Sequence, residues 1–409
     1  MLNINKNSKF LIYGYGVSGK SIEQYLINKK YNFKIYDDLI FDNKNKNFIN
    51  YNKVIKSLTS IDYFIVSPSI KINKSHFLYN FKKKIIIDLD FLSIEIKNQK
   101  IIGITGTEGK STICSYLHQI LSKYYNTVII GNFGNTILEK KDLSNFLSKT
   151  EIIIIELSSY QLDKIQNLKL DYAIITNIYN DHIKYHSTLK KYIDAKLKIS
   201  SFLIKEGFFF APKIYIDKKK YPKAIVIPNL STNKKDPQQS INFNNKKLIR
   251  VFMKNFDSKI NYNDKLLKEL SFRNQLVISR KKLKIYNDSK CTNLENAIIK
   301  NNLLKNIKKI LVLGGIPKVS KPLPLPIKNT LVLIFGVHAE KISNLIILKN
   351  STSILFNRLD DLIDFISISI KKYNYEIILF SPGGESFDNY KNYADRGLHF
   401  NQLLKSSKI

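Results

Sequence analysis

Short apolar runs alternate with glycine turns and helical stretches along this chain, a rhythm that predicts strands and helices packed in layers. Phe10 to Tyr13 is an apolar run that feeds Gly14-Tyr-Gly16-Val-Ser-Gly19, after which Ser21 to Leu26 reads as the start of a helix. A second strand candidate, Phe33 to Tyr36, ends in Asp37-Asp38. Apolar run, glycine turn, helix, apolar run and acid is the opening of a Rossmann-type βαβ unit. The next run, Tyr63 to Val66, stops at Ser67-Pro68-Ser69, a turn beside which a ligand would fit.

A new β-rich run at Ile101-Ile102 again leads into a glycine loop, so a domain boundary is expected between residues 88 and 100. Val128 to Ile130, Ile152 to Ile155 and Tyr172 to Thr176 then alternate with helical stretches, as a mainly parallel sheet requires. The polar segment from Lys213 to Asn245 reads as a loop-bearing edge region. A third unit begins near Ser271, with strand candidates at Ile310 to Leu313, Thr330 to Phe335 and Ile377 to Phe380. The expected fold class is α/β in three domains. Residues 1–89 form a Rossmann-like domain, 90–270 a central P-loop ATPase-like parallel sheet, and 271–409 a second Rossmann-like α/β unit. A chain of 409 residues is too long for one growing core, which fits this division.

Composition changes little of this picture. The net charge of +33 comes from 66 Lys+Arg against 33 Asp+Glu. Lys, Asn, Ile, Tyr and Phe are used heavily throughout, the pattern that codon bias toward A and T produces. The positive charge has no focus, and runs such as Lys82 to Lys84 and Lys218 to Lys220 read as solvated faces, so no nucleic-acid partner is expected. Two cysteines, Cys114 and Cys291, exclude a disulfide framework. The N-terminal residues lack the apolar core of a signal peptide, and no apolar run is long enough to span a bilayer. The expectation is a cytoplasmic protein without stable membrane insertion.

The chemistry concentrates at a few turns. Gly103-Ile-Thr-Gly106-Thr107-Glu108-Gly109-Lys110-Ser111-Thr112 follows a strand and opens a helix, the setting of a phosphate loop, although its first glycine is one residue too distant for the common spacing. Lys110 is placed to reach the outer phosphates and the Ser111 hydroxyl to hold Mg²⁺. The Gly14-x-Gly16-x-x-Gly19 pattern is less specific, since similar turns bind nothing; Asp37 stands where such folds hold a ribose. Glu156, in Glu156-Leu-Ser-Ser-Tyr-Gln161-Leu-Asp163, falls at a strand's C-terminal end, where a carboxylate would hold a metal. His182, after Thr176-Asn177-Ile-Tyr-Asn-Asp181, and Lys196, on the helix from Leu189, are by themselves an ordinary histidine and an ordinary surface lysine. Tyr286-Asn-Asp288-Ser-Lys290-Cys-Thr292-Asn293 suits the grip of ATP and an acidic amino acid, or else is a helix cap with an exposed charge pair.

Together these pieces resemble the Mur ligases over nearly the whole chain, and within them the branch that adds D-glutamate to UDP-N-acetylmuramoyl-L-alanine. The family-wide pieces are Gly106 to Ser111 and the stretch from His182 to Lys196. The branch-specific ones are Glu156 to Leu162, Asn287 to Asn293, and Ser381-Pro-Gly-Gly-Glu-Ser-Phe-Asp388 with Asn392 to Gly397. The resemblance implies a monomeric cytoplasmic enzyme of peptidoglycan precursor synthesis that uses ATP and Mg²⁺. It implies that Gly14, Val17, Ser18 and Asp37 meet the uridine diphosphate, with Asn132 and His182 nearer the sugar. Gly106, Thr107, Gly109, Lys110, Ser111 and Thr112 would hold the ATP phosphates, and Asn245, Arg273 and Asp288 the adenine nucleotide. Lys110, Glu156, His182 and Lys196 form the implied catalytic set. Ser111, Glu156, His182 and a carbamylated Lys196 would ligate the metal. Lys290, Thr292, Lys318, Ser386 and Phe387 would line the D-glutamate pocket.

Several positions depart from the family pattern. Glu108 stands where Asn is usual, Ile316 where an acid is expected, and Phe272-Arg273-Asn-Gln275 where His-Arg-x-Glu is typical. Ser69 replaces a glycine, and Gly383-Gly384-Glu385 replaces small apolar residues and a cysteine. A Glu385 carboxylate would repel an incoming glutamate unless turned away. The same residues also admit a sister ligase, a folylpolyglutamate-type enzyme, or a nucleotide-binding protein that has lost catalysis.

Overall fold

The computed structural model describes residues 2–134, 136–178, 182–217, 219–221, 223–227, 237–280, 282–304, 306–319, 321–407 and 409. Asp181 and Lys218, singled out above, lie outside the described residues. The chain divides into two compact units, Met1–Asn229 with Asn245–Leu267, and Leu230–Asn244 with Lys268–Ile409.

The first unit contains two parallel sheets. One has the order Asn32–Tyr36, Lys9–Tyr13, Tyr63–Val66, Ile85–Ile86. The other is six-stranded, in the order Ala224–Ile227, Leu203–Pro212, Leu170–Ile175, Lys100–Thr105, Ile152–Glu156, Thr127–Gly131. Burial on both faces explains why its central strands are unbroken apolar runs. Successive side chains of Ile152-Ile-Ile-Ile155 point to opposite faces. Ile153 and Ile155 join a core that also holds Phe10, Ile12 and Ile22 of the first sheet's layer. Ile152 and Ile154 pack instead with Ile113, Leu117, Phe252 and Met253. All four isoleucines are buried, and such burial contributes about 2 kcal/mol per side chain.

The second unit is built on a mixed sheet. Gln275–Arg280 pairs antiparallel with Leu283–Asn287, which continues in parallel through Ile377–Gly383, Lys309–Gly314, Leu331–Phe335 and Thr352–Phe356. A small pair, Pro326–Lys328 with Ile347–Lys349, lies beside it in sequence.

The segment from Lys213 to Asn245, expected as a loop-bearing edge region, does lie at the sheet edge but carries more regular structure than loops. It contributes the edge strand Ala224–Ile227 and the first part of a helix, Pro237–Phe256. Proline is tolerated at a first helical position because no N–H is needed there. Leu248, Ile249, Phe252 and Met253 supply a buried stripe at helical spacing. The Gln, Ser and Asn residues of the first two turns concealed that periodicity. Among the described residues, no helix is long and apolar enough to cross a membrane.

Candidate active site

The strand Lys100–Thr105 runs into the glycine loop, and the helix Lys110–Leu121 leaves it. Gly106 and Gly109 have φ of 148° and 80°, a region that L side chains avoid. A Cβ at Gly106 would also collide with the Thr176 hydroxyl. The neighbouring strand's end grips the loop by its backbone: Thr107 N–H donates to the Asn177 carbonyl at 2.8 Å, and Glu108 N–H to Asn177 Oδ1 at 2.9 Å. The Thr176 hydroxyl and the Asn177 amide both donate to the Glu108 carbonyl, at 2.6 and 3.1 Å. These contacts use only the main chain of Glu108, so an unusual side chain there leaves the loop's shape intact.

Lys110 Nζ donates to the carbonyls of Gly106 and Thr107, each at 2.9 Å. Lys196 Nζ donates to the same Gly106 carbonyl at 2.7 Å. Far from being a surface lysine, Lys196 is 2% exposed. Its helix, Leu189–Leu197, begins at Thr188, whose hydroxyl accepts from Lys191 N–H, and turns Tyr192, Ala195 and Lys196 inward. Lys196 Nζ lies 4.7 Å from the Tyr192 ring centroid, and the Tyr192 hydroxyl is 3.0 Å from Thr107 Oγ1. His182, at φ 53°, is exposed; its Nδ1 is 2.7 Å from the Tyr160 hydroxyl and its ring 6.0 Å from that of Tyr192.

A second set gathers at the helix's first turn. Ser111 Oγ donates to Glu156 Oε2 at 2.5 Å, and Asn132 Nδ2 donates to Glu156 Oε1 at 2.8 Å. Ser111 and Glu156 are each 2% exposed. A buried carboxylate served by neutral donors is costly unless a cation joins it. Hydroxyl and carboxylate oxygens are the hard donors that Mg²⁺ takes, so Ser111 and Glu156 fit a divalent cation. Thr112 follows on the same helix. Asn245, 5% exposed, packs its side chain against Gly109 and has an Nδ2 group without a hydrogen-bond partner. A buried unpaired donor beside a phosphate loop is what a bound nucleotide would satisfy.

His186, four residues beyond His182, was not singled out by the sequence. It is 6% exposed and lies 3.0 Å from the Ser159 hydroxyl. Burial, reinforced by His182, Lys196 and Lys164 against an opposing pull from Asp163, holds its pKa down to about 4. An unfolded histidine takes up its proton near pH 6.5. Between about pH 6.5 and 4 the unfolded chain therefore binds the extra proton, and stability falls as the pH drops through that window. Thermal unfolding of His186→Gln should show a flatter pH slope there than the unaltered protein; an identical slope would contradict this account.

At the N-terminal loop, Gly14 N–H donates to the Tyr36 carbonyl at 2.9 Å. Asp37 accepts from the N–H groups of Tyr15, Leu39 and Ile40 at 2.7, 2.8 and 3.0 Å. Burial works to raise the pKa of this carboxyl, but the three bonds outweigh it and hold the group below its usual range. Val17 is 69% exposed on the helix Val17–Asn28, and Ser18 bonds to the buried Asp88.

In the second unit the cluster after the strand Leu283–Asn287 is no exposed charge pair. Asp288 is 3% exposed, and its carboxylate accepts from Asn274 N–H, Lys300 Nζ and Ser381 Oγ at 3.1, 2.8 and 3.1 Å. Arg273 lies between Phe272 and Asn274, both at positive φ, 61° and 54°. Such angles are costly for non-glycine residues. Gln275 Oε1 accepts the Phe272 N–H at 3.1 Å, and the Phe272 carbonyl accepts the Lys290 N–H at 2.9 Å, which ties the turn down. Lys290 Nζ sits 4.1 Å from the Tyr393 ring centroid. Thr292 is half-buried just ahead of Asn293, whose side chain caps the helix Leu294–Leu303.

Lys318 Nζ pairs with Glu385 Oε1 at 3.0 Å, Ser386 is buried, and Phe387 is 68% exposed. Arg396 belongs to the C-terminal motif, and no sequence signal marks it for a role in binding. Fully buried, it donates to the Ser289 carbonyl at 2.8 Å, to Ser289 Oγ at 3.1 Å and to the Gly384 carbonyl at 3.1 Å, stitching the Asp288–Lys290 loop to the Ser386 turn. Burial is the main reason its pKa falls to about 10.

Lys110, Lys196, Thr107 and His182 lie along one chain of contacts, Ser111, Glu156 and Asn132 along another, both starting at the phosphate loop.

Comparison with known proteins places this arrangement. Residues 104–276 match the Mur ligase middle domain. A UDP-N-acetylmuramoylalanine–D-glutamate ligase of Francisella philomiragia is 31% identical, over 98% of this chain and 98% of the relative. The enzyme of the same name from Petrotoga mobilis is 28% identical, over 98% of this chain and 100% of the relative. A MurF ligase from Thermotoga maritima, solved in complex with ADP, shares the fold with a TM-score of 0.51 at 13% identity, covering 98% of this chain and 95% of that one. Full-length similarity of this kind, together with the loop, carboxylate and lysine described above, establishes that the chain belongs to the Mur ligase family, in the branch of the UDP-N-acetylmuramoylalanine–D-glutamate ligases.

Proposed function

We propose that this protein is an ATP-dependent ligase that joins D-glutamate to UDP-N-acetylmuramoyl-L-alanine, in the cytoplasmic synthesis of peptidoglycan precursor, and acts as a monomer. The observation that carries the reading is the phosphate loop, with Lys110 above it and the buried Ser111–Glu156 pair at its first helical turn. Residues 1–89 are assigned to the UDP-sugar, 90–270 to ATP and 271–409 to the amino acid.

In this reading the N-terminus of the helix Lys110–Leu121 orients the phosphates of ATP, with Lys110, Gly106, Thr107, Gly109 and Thr112 around them. Asn245 offers its unpaired amide, and Arg273 and Asp288 serve the nucleoside. Ser111 and Glu156, with His182 and a carbamate on Lys196, would hold Mg²⁺, which offsets phosphate charge when bound. Loss of one proton from the Lys196 ammonium and addition of carbon dioxide to the resulting amine, with loss of a second proton, would replace a cation by an anion. The substrate's alanyl carboxylate attacks the γ-phosphorus, the bond to the β-phosphate oxygen breaks, and ADP and an acyl phosphate result. Lys110 neutralises charge on the transferred group. The D-glutamate amine then attacks the acyl carbon and phosphate departs, leaving an amide and one released proton. Gly14, Val17, Ser18, Asp37 and Asn132 position the UDP-sugar, while Lys290, Thr292, Lys318, Ser386 and Phe387 hold D-glutamate.

The test is phosphate release with ATP and UDP-N-acetylmuramoyl-L-alanine across a panel of amino acids. D-glutamate should be preferred by at least about 100-fold over L-alanine, lysine and diaminopimelate, as expected where buried polar groups require a matching carboxylate. Preference for any of the others would discard the assignment.

A further inference from the structure

We propose that Glu385 is a positioning residue for the amino-acid acceptor, holding Lys318 across a two-residue strand bridge so that the lysine meets a ligand carboxylate already oriented. The proposal rests on the functional reading above, which places Lys318 in the D-glutamate pocket. It gives a task to an acid that the family resemblance does not include.

The backbone beneath the pair is fixed. Ile316 and Glu385 face each other in an antiparallel bridge, Ile316 N–H donating to the Glu385 carbonyl at 2.8 Å and Glu385 N–H to the Ile316 carbonyl at 2.9 Å. Arg396 anchors the same turn through the Gly384 carbonyl at 3.1 Å. Glu385 thus projects from a held main chain, whereas Lys318 is a long, flexible stem whose ammonium lies 3.0 Å from the carboxylate. Their side chains are 39% and 51% exposed, so the pair is open to a ligand. An ammonium has three N–H donors. One spent on Glu385 leaves two for an incoming carboxylate, and the substrate need not order the stem itself. The repulsion expected of Glu385 is thereby reduced, because its charge is already engaged.

The bridge also makes position 316 an equivalent perch. Residues directly opposite each other in such a pair have Cβ atoms about 5 Å apart, so a carboxylate on either side would reach the same lysine. This chain has Ile316 where the resemblance leads to an acid, and its acid stands directly across the bridge.

Steady-state kinetics decide the matter. An exposed ion pair is worth little, so Glu385→Ala should raise KM for D-glutamate about fivefold, with kcat within about twofold and KM for ATP unchanged. Glu385→Gln should behave alike and supplies the measurement if the alanine variant folds poorly. Adding Ile316→Asp to Glu385→Ala should return KM to near its original value. A fall in KM would show a carboxylate that competes with substrate, and an unchanged KM an idle pair. A rise that Ile316→Asp does not reverse would show a merely structural role. Each of these three results overturns the proposal while D-glutamate turnover by the unaltered enzyme leaves the functional reading standing. Absence of that turnover would remove both.

Discussion

Replacing Lys110 with alanine is expected to lower ligation and D-glutamate-dependent ATP hydrolysis by on the order of 10³-fold, the scale on which positioned cations act in phosphoryl transfer. The geometry makes the residue hard to replace. Lys110 Nζ is held by the carbonyls of Gly106 and Thr107, so its ammonium sits on the loop at the helix N-terminus that would face the phosphates. A shorter or neutral side chain removes the charge that the transferred phosphoryl group meets, and water cannot restore it. The same variant loses two hydrogen bonds within the loop, a modest effect of about 1 kcal/mol each on stability. Unfolding curves and kinetics measured together separate these losses. Unchanged turnover in Lys110→Ala would end the reading of this loop as an ATP site.

The second large effect is expected at Lys196. Arginine at this position keeps the positive charge but cannot form the carbamate, so Lys196→Arg should lose on the order of 10²-fold or more in kcat, a metal-site ligand's worth. Incubation of the unaltered protein with ¹³C-labelled carbon dioxide should give a carbamate resonance that the variant lacks. Full activity in Lys196→Arg, with no such resonance in the parent, would reject the modification. The structural motive is the lysine's position: 2% exposed, against Tyr192 and on the carbonyl that Lys110 also uses. Two cations directed at one oxygen are a poor arrangement by themselves. Converting one of them to an anion relieves it.

Much of this site could be read along the chain because its parts are local. A phosphate loop is a strand, a glycine turn and a helix start within about a dozen residues, and each has its own sequence signal. Glu156 could be placed because an apolar run of four isoleucines marks a buried strand whose C-terminal end must follow. The strands Tyr63–Val66 and Ile152–Glu156 were equally visible, since burial on both faces demands uninterrupted apolar residues. The helix Pro237–Phe256 was not, because Gln, Ser and Asn residues crowd its first two turns in the sequence and obscure the apolar spacing of Leu248, Ile249, Phe252 and Met253 further on.

What the sequence determined alone was therefore the catalogue of local devices: the two glycine loops, the acids and lysines that follow strands, the α/β class, and the family resemblance they compose. Only the tertiary structure decided which of those residues meet. Lys196 reads as a surface lysine until the packing of its helix buries it on the Gly106 carbonyl, 90 residues away in sequence. Glu385 reads as a repulsive intruder until the bridge to Ile316 turns it onto Lys318. Propensity and periodicity act over a few residues, whereas the energies of buried charges and ion pairs depend on neighbours that only folding brings within a few ångströms.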